Sequence, residues 1–383
     1  MAPRVLAWGT WDDTKPRVRL MLEALRRGGL PVDEVHADVW SGVVDKSQLR
    51  GARALLGTAA KWAASYARLL DGLVRRGAAA DIVFVGYLGQ LDVLMAWPIA
   101  KLRGEPIVWD AFISLYDTVV DDRKMVSATH PIARALWAWE WLACRAADVV
   151  VLDTEAHATW FRSTFDLPRD RTGVVLVGAE ADAFAAVEAV AVDEDAADDD
   201  VVTVMFYGQF IPLHGIATIV EAARRSDTAR VKWVLIGSGQ ETAKIKAMLD
   251  EQPLENLTWI PWVEYPELRA QIAAADICLG IFGDSDKAGR VIPNKVFQIL
   301  SVGKPLITRD SAGIRELVDD DDAGIYLVPA ANPDAINAAI ERFRAERRAL
   351  PKALHARLTE RFSPQAQAAT LRDLMTKAGE RRR

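Results

Sequence analysis

Residues 282–308, FGDSDKAGRVIPNKVFQILSVGKPLIT, decide how this chain is read. A strand-like apolar run at 277–281 feeds a polar loop containing Gly283 and Gly289. The loop ends at Ile292-Pro293, where a fixed proline φ suits the opening of a helix. Val296, Phe297 and Leu300 then keep helical spacing. An opening helix turn exposes unpaired backbone N–H groups and the positive end of the macrodipole, so it suits an anion such as a nucleotide diphosphate. Asn294 and Lys295 fall in that turn. Lysine has the wrong sign for this end of the dipole. A bound phosphate is one explanation for it, and a solvated side chain is the other.

Upstream, the same arrangement recurs twice. A strand pattern at 201–207 runs into Gly208-Gln209-Phe210-Ile211-Pro212-Leu213-His214-Gly215 and a helix at 216–225; a second at 231–236 ends in Gly237-Ser238-Gly239. Strand, glycine turn and helix give a phosphate-approach geometry, although neither turn completes GxGxxG or a P-loop. Further strands are expected at 257–260, 305–308 and 325–328, with helices from about 332 onward broken at Pro351 and Pro364. The first half alternates in the same way. Strands at 4–8, 32–36, 82–86, 107–109 and 149–152 are separated by helical patterns at 17–27, 58–76, 91–102 and 131–147. This alternation predicts an α/β chain with parallel, doubly wound sheets. At 383 residues, two domains are expected. The boundaries read from the sequence are an N-terminal Rossmann-like domain at 1–185, an acidic linker at 186–200, a second Rossmann-like domain at 201–350, and closing helices at 351–383 that cover it and cross back to the first.

In doubly wound domains the functional loops follow the carboxyl ends of the strands. Three stand out in the first half: Gly9 with Asp12, the stretch 86–90, and Asp110 with Ser114 and Asp117, followed by Arg123. Carboxylates at strand ends either position sugar hydroxyls or cap helices. The helix pattern at 61–76 has an apolar face of Trp62, Tyr66, Leu69, Leu70 and Leu73 beside Lys61, Arg68, Arg75 and Arg76. It fits either an ordinary domain helix or one lying on an anionic membrane surface. Trp137 and Trp141, four apart on another helix, read as core packing.

Composition narrows the function. Lys plus Arg is 47 against 53 Asp plus Glu, a net charge of −6 that argues against a nucleic-acid partner. No apolar run approaches the roughly 20 residues of a membrane span. The first residues run straight into a strand pattern without a signal-peptide region. Cys144 and Cys278 both lie in apolar contexts, which favours reduced thiols and a cytoplasmic location, at the inner membrane surface if the 61–76 helix lies on lipid. Five scattered His residues show no metal-ligand spacing, so no metal site is expected. Asp284-Ser285-Asp286 spells a DxD but sits in a loop, where solvation is the favoured reading.

The order of motifs resembles a GT-B glycosyltransferase of the retaining group 1, or family 4, class. FYGQFIPLHGIATIVEAA, VKWVLIGSGQE, LTWIPWVEYPELRAQIAAADICLGIF and GRVIPNKVFQILSVGKPLIT resemble that family's nucleotide-domain segments in the right order. The first half resembles it less closely. The resemblance implies two domains facing across a cleft and transfer of a sugar from a nucleotide sugar, with retention, to a hydroxyl of a sugar, lipid-linked or small-molecule acceptor. It requires no cofactor and no divalent metal.

Carried over by position, the resemblance puts Gly208, Gln209, His214, Gly215 and Gly237 at the donor diphosphate. Trp262 and Val263 border the base, and Asn294 and Lys295 meet diphosphate and donor sugar. Two glutamates common in relatives are Arg290 and Gln298 in this chain, and Gln209 and His214 stand where cations are common. The neutral amide of Gln298 still hydrogen-bonds ribose hydroxyls, whereas Arg290 has no acceptor and is suited to pairing with phosphate. Positive charge is thus expected to have moved to Arg290 and Lys295, the catalytic candidates together with Asp110. Gly9, Asp12, Asp110, Ser114, Asp117 and Arg123 are the acceptor-side candidates. A non-catalytic nucleotide-sugar binder and a GT-B epimerase are the rival readings.

Overall fold

The computed structural model describes residues 2–39, 52–77, 79–180, 182–185 and 201–380. The linker read at 186–200 lies outside the described residues.

Twelve strands, paired in parallel throughout the described residues, build two sheets of six. The first contains β1 (Val5–Gly9), α1 (Pro16–Arg27), β2 (Val32–His36), α2 (Ala52–Gly77), β3 (Ile82–Val85), α3 (Gln90–Arg103), β4 (Ile107–Asp110), α4 (Pro131–Ala146), β5 (Val149–Leu152), α5 (Glu155–Phe165) and β6 (Thr172–Val174). The second contains β7 (Val202–Tyr207), α6 (Ile216–Arg225), β8 (Val231–Ile236), α7 (Thr242–Glu251), β9 (Leu257–Ile260), α8 (Tyr265–Ala274), β10 (Ile277–Leu279), α9 (Asp286–Arg290), α10 (Asn294–Val302), β11 (Leu306–Arg309), β12 (Ile325–Val328) and α11 (Pro333–Glu346). Two helices, α12 (Ala356–Arg361) and α13 (Pro364–Glu380), close the chain.

The chain divides into two compact units, one of Met1–Val120, Val126–Leu176 and Pro364–Arg383, the other of Asp121–Met125 and Val177–Ser363. The first unit thus ends at Leu176 and regains the chain at Pro364, where the sequence alone suggested boundaries at 185 and 351. Within it, α13 packs on α1: Leu371, Met375 and Ala378 share a core with Val18, Met21 and Leu25. Short strand β6 carries Gly173 between Thr172 and Val174, too little pattern to be read beforehand.

The strand orders place the ligand-binding edges. The second sheet runs β12-β11-β10-β7-β8-β9, so successive connections leave β7 in opposite directions between β7 and β10. In open α/β sheets that reversal opens a crevice at the carboxyl ends of the two strands. The first sheet, β2-β1-β3-β4-β5-β6, reverses between β1 and β3.

Helix α2 takes the first of its two readings, an ordinary domain helix. Tyr66, Leu69 and Leu73 are buried in the first unit's core, with Trp62 and Leu70 packed against it. The apolar face is therefore engaged by protein and is not a membrane-facing surface; hydrophobic periodicity reports that a face is covered, not by what. No described helix is long and apolar enough to cross a membrane.

Candidate functional site

At the switch point of the second sheet, the loops after β7 and β10 are joined backbone to backbone. Phe282 and Gly283 donate their N–H groups to the carbonyls of His214 (3.1 Å) and Leu213 (3.2 Å). A Cβ on Gly215 would stand 2.7 Å from that backbone, so only glycine permits the approach. The turns after β7 and β8 interlock as well: Phe210 donates to the Ser238 carbonyl (3.0 Å), and a Cβ on Gly237 would lie 1.9 Å from the Gly208 oxygen. Gly208 and Gly237 have φ of 136° and 138°, where side chains are strained.

Over this platform stands α10. Pro293 is its N-cap rather than its first residue, Asn294 takes the first position, and no side chain caps the opening turn. Gly303, left-handed at φ 83°, returns its N–H to the last carbonyls.

Lys295 turns back from α10 so that its Nζ would be 3.0 Å from a Cβ on Gly208. It is only 5% exposed, and its ammonium has no hydrogen-bonding partner among the described residues. The Phe206 ring lies 3.6 Å below it. Burial pushes the Lys295 pKa well below the ordinary lysine value. His214, beside it, donates from Nδ1 to the Gln209 carbonyl. Burial and the Lys295 charge hold His214 well below its usual value, so the imidazole is neutral.

One turn along α10, Gln298 accepts from the Tyr207 hydroxyl (2.9 Å) and donates to Tyr265 Oη (3.4 Å), which in turn donates to Glu180. Tyr207, Tyr265 and Glu180 escape sequence reading because they meet only through the fold. Trp262 is 72% exposed and donates to Glu264 (3.1 Å); Val263 beside it is half-buried. Arg290 closes α9, and a Cβ on Gly313 would press on its backbone at 2.8 Å. Arg309, also unforeseen, ties down the preceding loop through the carbonyls of Gly283 (2.6 Å) and Ser285 (2.9 Å). Asp284 and Asp286 are exposed, and Ser285 caps α9.

Of the acceptor-side candidates, Gly9, Asp12, Asp110, Ser114 and Asp117 lie in the first unit. Asp110, 0% exposed, is held by the Arg17 guanidinium through Nε (3.0 Å) and Nη2 (2.8 Å). Gly9 is required because a Cβ there would sit 2.4 Å from the buried Asp92, whose carboxylate takes the Thr10 N–H and the Tyr66 hydroxyl. Asp12 accepts from the Thr14 N–H and hydroxyl, leading into α1. Ser114 is buried and donates to Glu140, which also accepts from Gln90, Leu115 and Tyr116. Asp117 is buried and donates its N–H to Ser114 Oγ, and Arg123, half-buried, belongs to the second unit. Glu140, the one acid on α4, carried a sequence signal that went unread: a lone carboxylate in a tryptophan-rich helix.

Comparison with known proteins bears on the second unit. The family model of group 1 glycosyl transferases matches residues 201–346. The match covers 146 of the 383 residues. Over 135 residues, 34% of this chain and 32% of the relative, the sequence is 27% identical to the "Putative colanic acid biosynthesis glycosyltransferase WcaL" of Salmonella typhimurium. The match thus spans about a third of that relative's length. Structurally, the chain is similar to sucrose-phosphate synthase from Thermosynechococcus elongatus at TM-score 0.71 and 16% identity, covering 97% of this chain and 98% of that one. It is also similar to Anabaena HepE, solved in complex with UDP and glucose, at TM-score 0.66 and 14% identity over 98% and 99% of the two chains. The fold is GT-B. Within the matched stretch, the interlocked glycine turns and the open end of α10 are the features built around Lys295.

Proposed function

We propose that the chain transfers a glycosyl group from a nucleotide-diphosphate sugar to an acceptor hydroxyl, with retention and without a divalent metal. One observation carries this reading: a buried lysine ammonium with no acceptor among the described residues, facing Gly208 at the uncapped start of α10. An unpaired buried charge is costly, and a pyrophosphate supplies what it lacks. The UDP and glucose held by the Anabaena neighbour support uridine nucleotides as the first donors to test.

In the proposed reaction the bond between the anomeric carbon and the diphosphate oxygen breaks, and a bond from the acceptor oxygen forms on the same face. The acceptor proton passes to the departing diphosphate. The protein's part is electrostatic: Lys295, the N–H groups opening α10 and the guanidinium of Arg290 stabilise the charge that develops on the leaving group. His214, being neutral, adds a hydrogen-bonding group and no charge. The acceptor is a sugar, a lipid-linked sugar or a small-molecule hydroxyl.

The test is release of nucleoside diphosphate from a panel of UDP-, ADP- and GDP-sugars, with and without sugar acceptors. The reading expects release from at least one donor, reduced at least a hundredfold in Lys295→Ala. Donor binding without hydrolysis or transfer across the panel would instead establish a non-catalytic binder.

A further inference from the structure

We propose that Glu180, carried by Tyr265, supplies the carboxylate that binds the ribose hydroxyls of the donor nucleotide, in place of an acid at position 298. This rests on the donor reading above and adds to it a specificity-determining residue from outside the matched domain.

The inference starts from the direction of three hydrogen bonds. The Tyr207 hydroxyl donates to Gln298 Oε1 at 2.9 Å, which orients the amide so that Nε2 faces Tyr265 Oη at 3.4 Å. An amide nitrogen only donates, so Tyr265 accepts there and its own proton is directed onward to Glu180 Oε2. Had residue 298 been an acid, Tyr265 would have donated to it instead. Exchange of carboxylate for amide at 298 thus reverses the polarity of this line of groups and moves the acid two hydrogen bonds along, to Glu180.

Position and rigidity fit a ribose. Gln298 follows Lys295 by three residues on the same helix, a rise of about 4.5 Å, the step from a pyrophosphate toward its nucleoside. Tyr265 opens α8 just after Trp262 and Val263, the residues expected at the base. Tyr265 is 39% exposed and Glu180 half-buried, so both are within reach of a ligand. The Glu180 turn is fixed on both sides. Its carbonyl accepts from Ala183 (3.0 Å) and Phe184 (2.9 Å), and the buried Phe184 ring meets Tyr265 edge-on at 5.5 Å. Arg269 of α8 donates to the Ala185 carbonyl at 3.0 Å. A carboxylate accepts from both hydroxyls of a vicinal diol, the chemistry by which an acidic residue selects ribose in dinucleotide sites. An amide offers one oxygen.

The experiment compares ribo- and 2′-deoxyribonucleotides by titration calorimetry, using UDP, ADP and GDP with dUDP, dADP and dGDP. Wild type is expected to prefer the ribonucleotide about tenfold or more. Glu180→Gln and Tyr265→Phe should bring the two within about twofold, by weakening the ribonucleotide more than the deoxynucleotide, which offers the carboxylate only its 3′-hydroxyl. Glu180→Gln/Gln298→Glu should restore the preference. Equal loss for both nucleotides, or an unchanged ratio, overturns the proposal and leaves the donor site standing. Failure of wild type to bind any of the six overturns the donor reading itself.

Discussion

Lys295 Nζ lies 3.6 Å from the centroid of the Phe206 ring, and this aromatic face stands where a buried ammonium would ordinarily find a carboxylate. A ring offsets part of the desolvation cost and leaves the hydrogen-bonding capacity of the lysine open. The fold therefore holds a cation ready for an anion at some expense to its own stability.

Lys295→Met should accordingly separate the two quantities. The methionine fills the same space without the charge, so urea denaturation should show the ligand-free variant more stable by about 1–3 kcal/mol. Calorimetry should show its affinity for the donor nucleotide reduced at least tenfold. A variant that is both less stable and unimpaired in binding would assign Lys295 to the core.

The same burial fixes the sign of a pH effect. The folded-state pKa of Lys295 lies below the unfolded value, so the folded protein binds fewer protons, and the stability lost to burying the ammonium is recovered as pH rises between the two values. A bound pyrophosphate reverses the shift and returns the proton to Lys295. Affinity for a sugar nucleotide, whose own charge is constant across neutral pH, should thus fall as pH rises through the free-state pKa, and the slope should vanish in Lys295→Met. Calorimetric titration at a series of pH values reads both.

Glycine substitutions grade the platform. At Gly208 the nearest atom to a new Cβ is the movable Nζ of Lys295, so Gly208→Ala should cost about 1–3 kcal/mol of backbone strain and displace the lysine from its seat. At Gly237 the obstacle is the Gly208 carbonyl oxygen at 1.9 Å, which cannot yield without breaking the turn. Gly237→Ala should be the more destabilising of the two in denaturant unfolding, and equal costs would contradict the interlocked-turn description.

Asp110→Ala separates an ion-pair role from an acceptor-side role. It strands the buried Arg17 guanidinium and should cost about 3–5 kcal/mol. Below its lowered melting temperature, donor affinity should stay within twofold of wild type. Unchanged stability with transfer to the acceptor lost would instead make Asp110 an acceptor-side group.

Legibility in the sequence followed the range of the interactions. Parallel strands are runs of β-branched and aromatic residues buried on both faces, so nearly all were visible within a residue or two. Lys295 was visible because its charge opposes the helix dipole in its own turn. The ion pair of Asp110 was invisible because its partner Arg17 is 93 residues away, and Glu180 was invisible because Tyr265 reaches it across 85. Helix α2 shows the related limit: its periodicity revealed a covered face but not the core that covers it.

The central claim, that a nucleotide pyrophosphate docks on Lys295 and the opening turn of α10, is tested most directly by thermal unfolding with UDP-, ADP- and GDP-sugars on wild type and Lys295→Ala. At 100 times its Kd a ligand stabilises the fold by about 2.7 kcal/mol. Wild type should show a saturable rise in Tm with at least one donor, and Lys295→Ala none at the same concentration. An equal rise in both proteins, or no rise with any donor in wild type, would contradict it.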